Sequence, residues 1–434
     1  MTYCPVIDRF AVPLPLDPPS AVLFGAVFIA VALVTARRPA YGLCALVFVT
    51  PFSFGHELLG TSLTIEKAAL LGVLLGLTTY RGNAALLRRA PAPALLAVLC
   101  ALILITALTA IGAVYRGPVV RETLKAVEYG ATFLAAFLCY ARDRDDRALV
   151  GTLCVTAIAV AISALAQEIL GAPSGLYIGA AIVPRIAGLL EGPNQLSGYA
   201  EIAVATLGAW LLTRRSRLLD VALALIVFAD VLTFSRAGLI GLGIVALVFG
   251  VVRGKEAWRA LKPGVVGLIA GLAGTAWWAI YAHNPGVIRA SLQASLYAGG
   301  VGNRSELWHA AWNMWRDRPI LGIGAGNFEF ALPVYGVSGV RTHANSWYLQ
   351  SLAEGGVVLF AATLALLAAI FASVIGKDPL RRWRNGSPWI LAAFAASLAL
   401  ALHQTVDYLV FYPKVAGAWW LLLGISAAAL AREA

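Results

Sequence analysis

Residues 355–376 read G-G-V-V-L-F-A-A-T-L-A-L-L-A-A-I-F-A-S-V-I-G, an apolar run without a single charge. At about 1.5 Å of rise per residue, a helix of this length crosses a hydrocarbon core of roughly 30 Å. Its flanks differ in chemistry. Upstream lies the polar stretch Arg304 to Glu354, and downstream the basic run Lys377 to Arg384. Comparable runs recur near 21–36, 40–54, 63–80, 93–113, 122–141, 148–170, 196–213, 217–233, 236–252, 263–281, 387–405 and 414–431. None alternates apolar with polar residues, so a transmembrane barrel is excluded. With 60% hydrophobic and 13% charged residues in 434, and a mean hydropathy of +0.81, the chain is no soluble domain. The expected fold class is all-α, a polytopic membrane protein of about 12–13 transmembrane helices. Residues 1–434 are read as a single transmembrane domain, with 282–354 as one long periplasmic loop between late helices that carries amphipathic helices of its own.

Orientation follows from lysine and arginine in short loops, because positive residues stay on the cytoplasmic side during insertion. Arg37-Arg38, Arg81 to Arg89, Arg142 to Arg147, Arg214 to Arg217, Arg253 to Lys262 and Lys377 to Arg384 all fall on one side when the helices alternate. The other side receives 55–62, 114–121, 171–195, 234–235, 282–354 and 406–413, which makes the long loop extracytoplasmic.

The net charge of +11 is concentrated in those inner loops, where it serves topology and contact with anionic membrane lipids, so nucleic acid is not an expected partner. The five cysteines show no C-x-x-C pair, and neither a disulfide framework nor a metal site is indicated. The N-terminal segment, with Asp8 and Asp17 and no basic n-region, is expected to be retained.

The long loop holds Arg289, Arg304, Arg316, Arg318 and Arg341 and no lysine. A planar guanidinium grips phosphate oxygens through two parallel donors and stays charged in any surroundings, which suits a diphosphate. Two further arginines stand where apolar runs meet the same face, Arg185 in P-R-I-A-G-L-L-E-G-P-N-Q and Arg236 in T-F-S-R-A-G-L-I. At membrane depth, an arginine as isolated as Arg236 calls for a protein cavity and an anionic partner. Within the loop, Ser305 to Asp317 reads as an amphipathic interfacial helix with Leu307, Trp308, Ala311, Trp312 and Trp315 on one side. The segment Gly322 to Gly326 is turn-rich and lacks the strand that a dinucleotide fold needs, and Asn345 to Glu354 reads as a helix re-entering the bilayer.

Together these blocks resemble the O-antigen ligase and polymerase superfamily of bacterial membrane glycosyltransferases. The likeness rests on T-F-S-R-A-G-L-I around Arg236, on R-x-x-L-W-x-A-A with P-x-x-G-x-G from Arg304 to Gly324, and on H-x-N, Y-L-Q and A-E-x-G from His343 to Gly356. A later H-Q-T-V-D-Y, His403 to Tyr408, is similar to the family's penultimate helix. The likeness covers roughly residues 180–410.

The resemblance implies an O-antigen ligase. A glycan on undecaprenyl diphosphate would pass to a hydroxyl of the lipid A-core acceptor at the periplasmic face, with inversion and without cofactor or metal. By position, His343 would be the general base, and Arg236 and Arg304 would hold the departing diphosphate, with Arg185 and Arg341 as secondary diphosphate-binding candidates. Many family members show H-x-H-N where this chain reads His343-Ala344-Asn345-Ser346. His343 is the expected base, because an asparagine in the second position cannot take a proton at neutral pH. A repeat-unit polymerase would use the same donor. From a different class, a transporter of an anionic lipid or polysaccharide would also need intramembrane arginines, but its mark, paired broken helices in two related halves, is not seen in the sequence.

Overall fold

A computed structural model describes residues 17–52, 55–58, 61–89, 91–170, 174–178, 181–281, 302–337 and 343–433. It is 82% helical. The helices are α1 (Pro18–Arg37), α2 (Pro39–Val49), α3 (Ile65–Thr78), α4 (Asn83–Leu87), α5 (Ala92–Leu108), α6 (Arg116–Arg142), α7 (Asp146–Leu170), α8 (Pro193–Leu211), α9 (Arg217–Val231), α10 (Arg236–Arg253), α11 (Lys255–Tyr281), α12 (Gly302–Asp317), α13 (Phe328–Ala331), α14 (Trp347–Ile375), α15 (Pro379–Asn385), α16 (Pro388–His403) and α17 (Pro413–Glu433). Every apolar run read from the sequence coincides with one of these. Eight helices among the described residues are long and apolar enough to cross a membrane: α1, α5, α6, α7, α10, α11, α14 and α17. The helices α2 and α16 are apolar but shorter. Two stretches expected as plain loops contain antiparallel hairpins, β1 (Gly55–Leu58) with β2 (Thr61–Thr64) and β3 (Ser174–Ile178) with β4 (Ala181–Arg185).

The bundle is built around α8, α16 and α17. All of α8 from Gln195 to Leu211 is buried, and α17 is buried from Val415 to Leu430 apart from Ala418. Small residues make this close packing possible where lipid supplies no hydrophobic drive between helices. A Cβ on Gly424 of α17 would lie 2.5 Å from the carbonyl oxygen of Phe133 in α6, so only glycine fits there.

The basic loops gather at one end. Arg38 Nε pairs with Asp143 at 2.9 Å, Arg142 Nε donates to Asn83 Oδ1 at 2.6 Å, Arg384 Nε donates to the carbonyl of Val252 at 2.6 Å, and Arg432 donates to that of Ala141 at 2.7 Å. The opposite end carries a cap with a small core of its own, made by Leu307, Ala310, Ala311 and Met314 of α12 with Ile323, Phe328, Leu332, Ala344 and Ala353. Here one sequence expectation is corrected. The buried stripe of α12 is 307, 310, 311 and 314, whereas Trp308 and Trp315 are half-buried and Trp312 is exposed. The aliphatic side chains take the protein-facing stripe, and the bulkier indoles flank it. Arg318 donates to the carbonyl of Gly112 and ties the cap to the α5–α6 connection.

The re-entering helix and the span after it are one element. α14 runs from Trp347 to Ile375 with a break at Gly356, whose φ of 60° and ψ of −160° are open essentially to glycine alone. A break inside an apolar helix orphans backbone groups, each costing several kcal/mol in lipid. The segment 319–324 takes them up. The amides of Ile323 and Gly324 donate to the carbonyls of Ala353 and Glu354 at 3.1 and 2.9 Å, and the amides of Val357 and Val358 donate to those of Pro319 and Ile320 at 2.9 and 3.4 Å. The turn-rich P-I-L-G-I-G and the A-E-G-G blocks are thus two halves of one device that bends α14 beneath the cap.

Candidate active site

The site forms where the cap meets the ends of α8, α9, α10 and α16. Its base is the turn between α16 and α17. The backbone carbonyls of Gln404 and Asp407 both accept from the amide of Trp347 at 3.0 Å, which fixes the start of α14 against this turn. Ser346 caps α14 through its side chain, and Gln350 Oε1 accepts from the amide of Ala344 at 2.7 Å. His343, Ala344 and Asn345 are thereby held over Asp407.

Asp407 organises the charges. Its side chain is 2% exposed, and Oδ2 accepts from Asn194 Nδ2 at 2.6 Å and lies 3.9 Å from the Arg304 guanidinium. Oδ1 accepts from the amide of Tyr408 at 2.7 Å. Asn194, in the first turn of α8, also accepts from Arg185 Nη2 at 2.8 Å, while Arg185 Nε donates to the carbonyl of Thr233 at 2.6 Å. Burial pushes the Arg185 guanidinium down to about 10 even though Asp407 favours its charge, and the nearby charges of Arg304 and Arg236 push the same way as burial. Arg236, exposed at the start of α10, follows the turn Thr233-Phe234-Ser235, in which Phe234 has a φ of 53° and Ser235 caps the helix. One buried carboxylate is therefore paired with Arg304 and joined through Asn194 to Arg185, whose own charge is felt by Arg304 and Arg236.

His343 lies within electrostatic reach of the same carboxylate. Its ring packs edge-on against Tyr408 and Tyr412, with centroids 5.9 and 5.8 Å away, and tilts over Phe411 at 5.5 Å. Burial holds its pKa down to about 4; Asp407 works against that shift, while Arg304 and Lys125 add to it. At neutral pH the imidazole is uncharged. Nε2 lies 2.9 Å from the hydroxyl of Tyr412, and Nδ1 accepts from the amide of Asn345 at 3.1 Å. Tyr412 is raised well above an ordinary phenol by burial, so it stays protonated. Asn345, with a φ of 50°, and Phe234 are the two non-glycine residues with positive φ among those described, and both stand beside a site residue.

With this geometry in hand, one comparison with known families bears on the chain. Residues 221–364 match the family model for O-antigen ligase. Over that stretch the chain is similar to the O-antigen ligase family. The match supports O-antigen ligase or polymerase activity in general terms. No curated protein compared matches the chain. The family region contains Arg236, Arg304 and His343, and it ends inside α14. Arg185, Asn194, Asp407 and Tyr412 lie outside it and complete the same site from β4, α8 and the connection between α16 and α17.

Of the residues singled out in the sequence, Arg185, Arg236, Arg304 and His343 come together. Arg341 lies outside the described residues, as do Arg289 and the stretch 282–301. Asp407, Asn194 and Tyr412 carried no site assignment from sequence. One signal did point to Asp407: it is the only acidic residue between Asp378 and Glu433, and it stands in a turn on the arginine-rich face. Asn194 and Tyr412 gave no signal.

Proposed function

We propose that this protein is an O-antigen ligase that moves a glycan from undecaprenyl diphosphate to a hydroxyl of lipid A-core at the periplasmic face of the inner membrane, with direct inversion at the anomeric carbon. Arg304, Arg236 and Arg185 hold the diphosphate, and Arg341 is a further diphosphate ligand from the same loop. His343 takes the proton of the acceptor hydroxyl. That oxygen forms the new bond to the anomeric carbon as the bond to phosphate breaks, its electron pair leaving on the diphosphate. Fixed guanidiniums stabilise the charge that develops there without reorganising. The match of residues 221–364 to the O-antigen ligase family model supports the class of reaction. The observation that carries the residue roles is that Asp407 pairs with Arg304, is joined through Asn194 to Arg185 and acts on the uncharged imidazole of His343, with the charge of Arg236 felt at Arg185.

Reconstitution of purified protein with undecaprenyl-diphosphate glycan and rough lipopolysaccharide, with EDTA present, tests this. A gel shift of the acceptor by wild type but not by His343→Ala is the expected result. Elongated lipid-linked glycan with no acceptor shift would replace ligase by polymerase, and movement of the donor across the bilayer with no new bond would sink both in favour of transport.

A further inference from the structure

We infer that the peptide unit between Ala344 and Asn345 is a switch that decides which ring nitrogen of His343 carries the proton, and that the structure shows its resting setting. The inference rests on the reading of His343 as base. A backbone N–H can only donate. Because the amide of Asn345 points at Nδ1 from 3.1 Å, that nitrogen presents its lone pair and has no proton. In an uncharged imidazole the proton then sits on Nε2, from which it is donated to the Tyr412 hydroxyl at 2.9 Å. Both ring nitrogens are engaged, and neither offers a lone pair to an acceptor hydroxyl.

The backbone shows how this state is left. Asn345 has a φ of 50°, where a side chain is disfavoured and asparagine is among the few residues that tolerate it. Rotating the 344–345 peptide by about 180° carries that φ into the extended region, which any residue adopts. The same rotation brings the carbonyl of Ala344 towards Nδ1. A carbonyl can only accept, so the proton must now sit on Nδ1, and Nε2 becomes the free base. One proton passes from Nε2 to water and one from water to Nδ1, which leaves the charge of the ring unchanged. In the transfer step Nε2 then takes the acceptor's proton, giving an imidazolium whose Nδ1–H is held by the carbonyl.

The anchors on either side stay in place during this rotation. The amide of Ala344 belongs to the preceding peptide and remains on Gln350 Oε1. The amide of Trp347 remains on the carbonyls of Gln404 and Asp407. Asn345 and Tyr412 are thus positioning residues, acting on the reaction through His343.

The test compares Asn345→Gly with Asn345→Val. Both lack the amide side chain, but glycine accepts positive φ freely and valine resists it. In lipid nanodiscs, nitrogen NMR of histidine-labelled protein reports the tautomer, with the His343 signals assigned by their loss in His343→Gln. Wild type and Asn345→Gly should rest with the proton on Nε2, Asn345→Val should move towards Nδ1, and the glycine variant should transfer about 5-fold more slowly than the valine variant. The same tautomer and rate in both variants, or Nδ1–H in resting wild type, would overturn the switch. Full transfer by His343→Ala would overturn the base role alone, and the tautomer comparison would still decide the switch.

Discussion

Replacing Arg304 asks whether that guanidinium binds the donor or only neutralises Asp407. At the 3.9 Å separation from Asp407, two unit charges in surroundings of effective dielectric about 20 interact by about 4 kcal/mol. The Arg304 side chain is 23% exposed, so water screens part of this, and about 2 kcal/mol is a fair lower figure. A diphosphate oxygen at the same range feels a force of the same size. Arg304→Gln should therefore lower kcat/KM for the donor by about 30- to 1,000-fold. It should also lower thermal stability, because a carboxylate only 2% exposed keeps Asn194 but loses its charged partner. Arg304→Gln combined with Asp407→Asn separates the two roles. The double variant removes the uncompensated charge and should regain much of the lost thermal midpoint in detergent while transfer in proteoliposomes stays as low as in the single variant. Recovery of transfer along with stability would refute the reasoning, because Arg304 would then be a structural partner of Asp407 and no donor ligand.

The pH profile should follow His343. A protonated imidazole cannot take a proton, so kcat/KM, which reports the free enzyme, should fall as pH drops through about 4, whereas kcat should fall at a higher pH because bound diphosphate favours the imidazolium; a kcat/KM limb at 6.5 would contradict the buried setting. Since the folded value lies below the ordinary 6.5, the unfolded chain binds more protons between pH 6.5 and about 4, and stability contributed above that window should be lost across it, less so in His343→Ala, as thermal unfolding would record. Gly356→Ala should cost about 3 kcal/mol or more, because a Cβ there would lie 2.3 Å from the carbonyl oxygen of Ile320 in a conformation closed to alanine, and a thermal midpoint within a degree or two of wild type would argue against the bent α14. Asn327 accepts from the amide of Tyr115 at 2.8 Å and donates to its carbonyl at 3.0 Å, so Asn327→Leu should destabilise by roughly 2–4 kcal/mol and loosen the cap, with Asn327→Ala no milder; hydrogen exchange at Tyr115 would show it.

How much of this was legible in the chain differs from element to element. The run 355–376 and its counterparts announced helices, because in lipid each span must satisfy its own backbone and so depends on its own residues for both length and apolarity. The same local logic exposed Arg236 and the lysine-free loop, since a charge at membrane depth stands out against apolar neighbours whatever it contacts. Which stripe of α12 is buried was not local: the tryptophans and the aliphatic residues both make an apolar face, and only docking of the cap onto α14 chose between them. The bend at Gly356 was equally hidden, because the hydrogen bonds that permit it come from Pro319 to Gly324, more than thirty residues earlier in the chain. Asp407 is the clearest case. Its stretch H-Q-T-V-D-Y carried part of the resemblance but no role for the aspartate, which arises only when α12 brings Arg304 to it and Asn194 of α8 joins it to Arg185. The sequence alone determined a helical membrane protein with arginines and a histidine set apart from its apolar runs, because hydropathy and charge act residue by residue. Tertiary structure alone decided the carboxylate at their centre, the tautomer of His343 and the strained turns beside it, because these depend on groups from distant segments meeting within hydrogen-bonding distance.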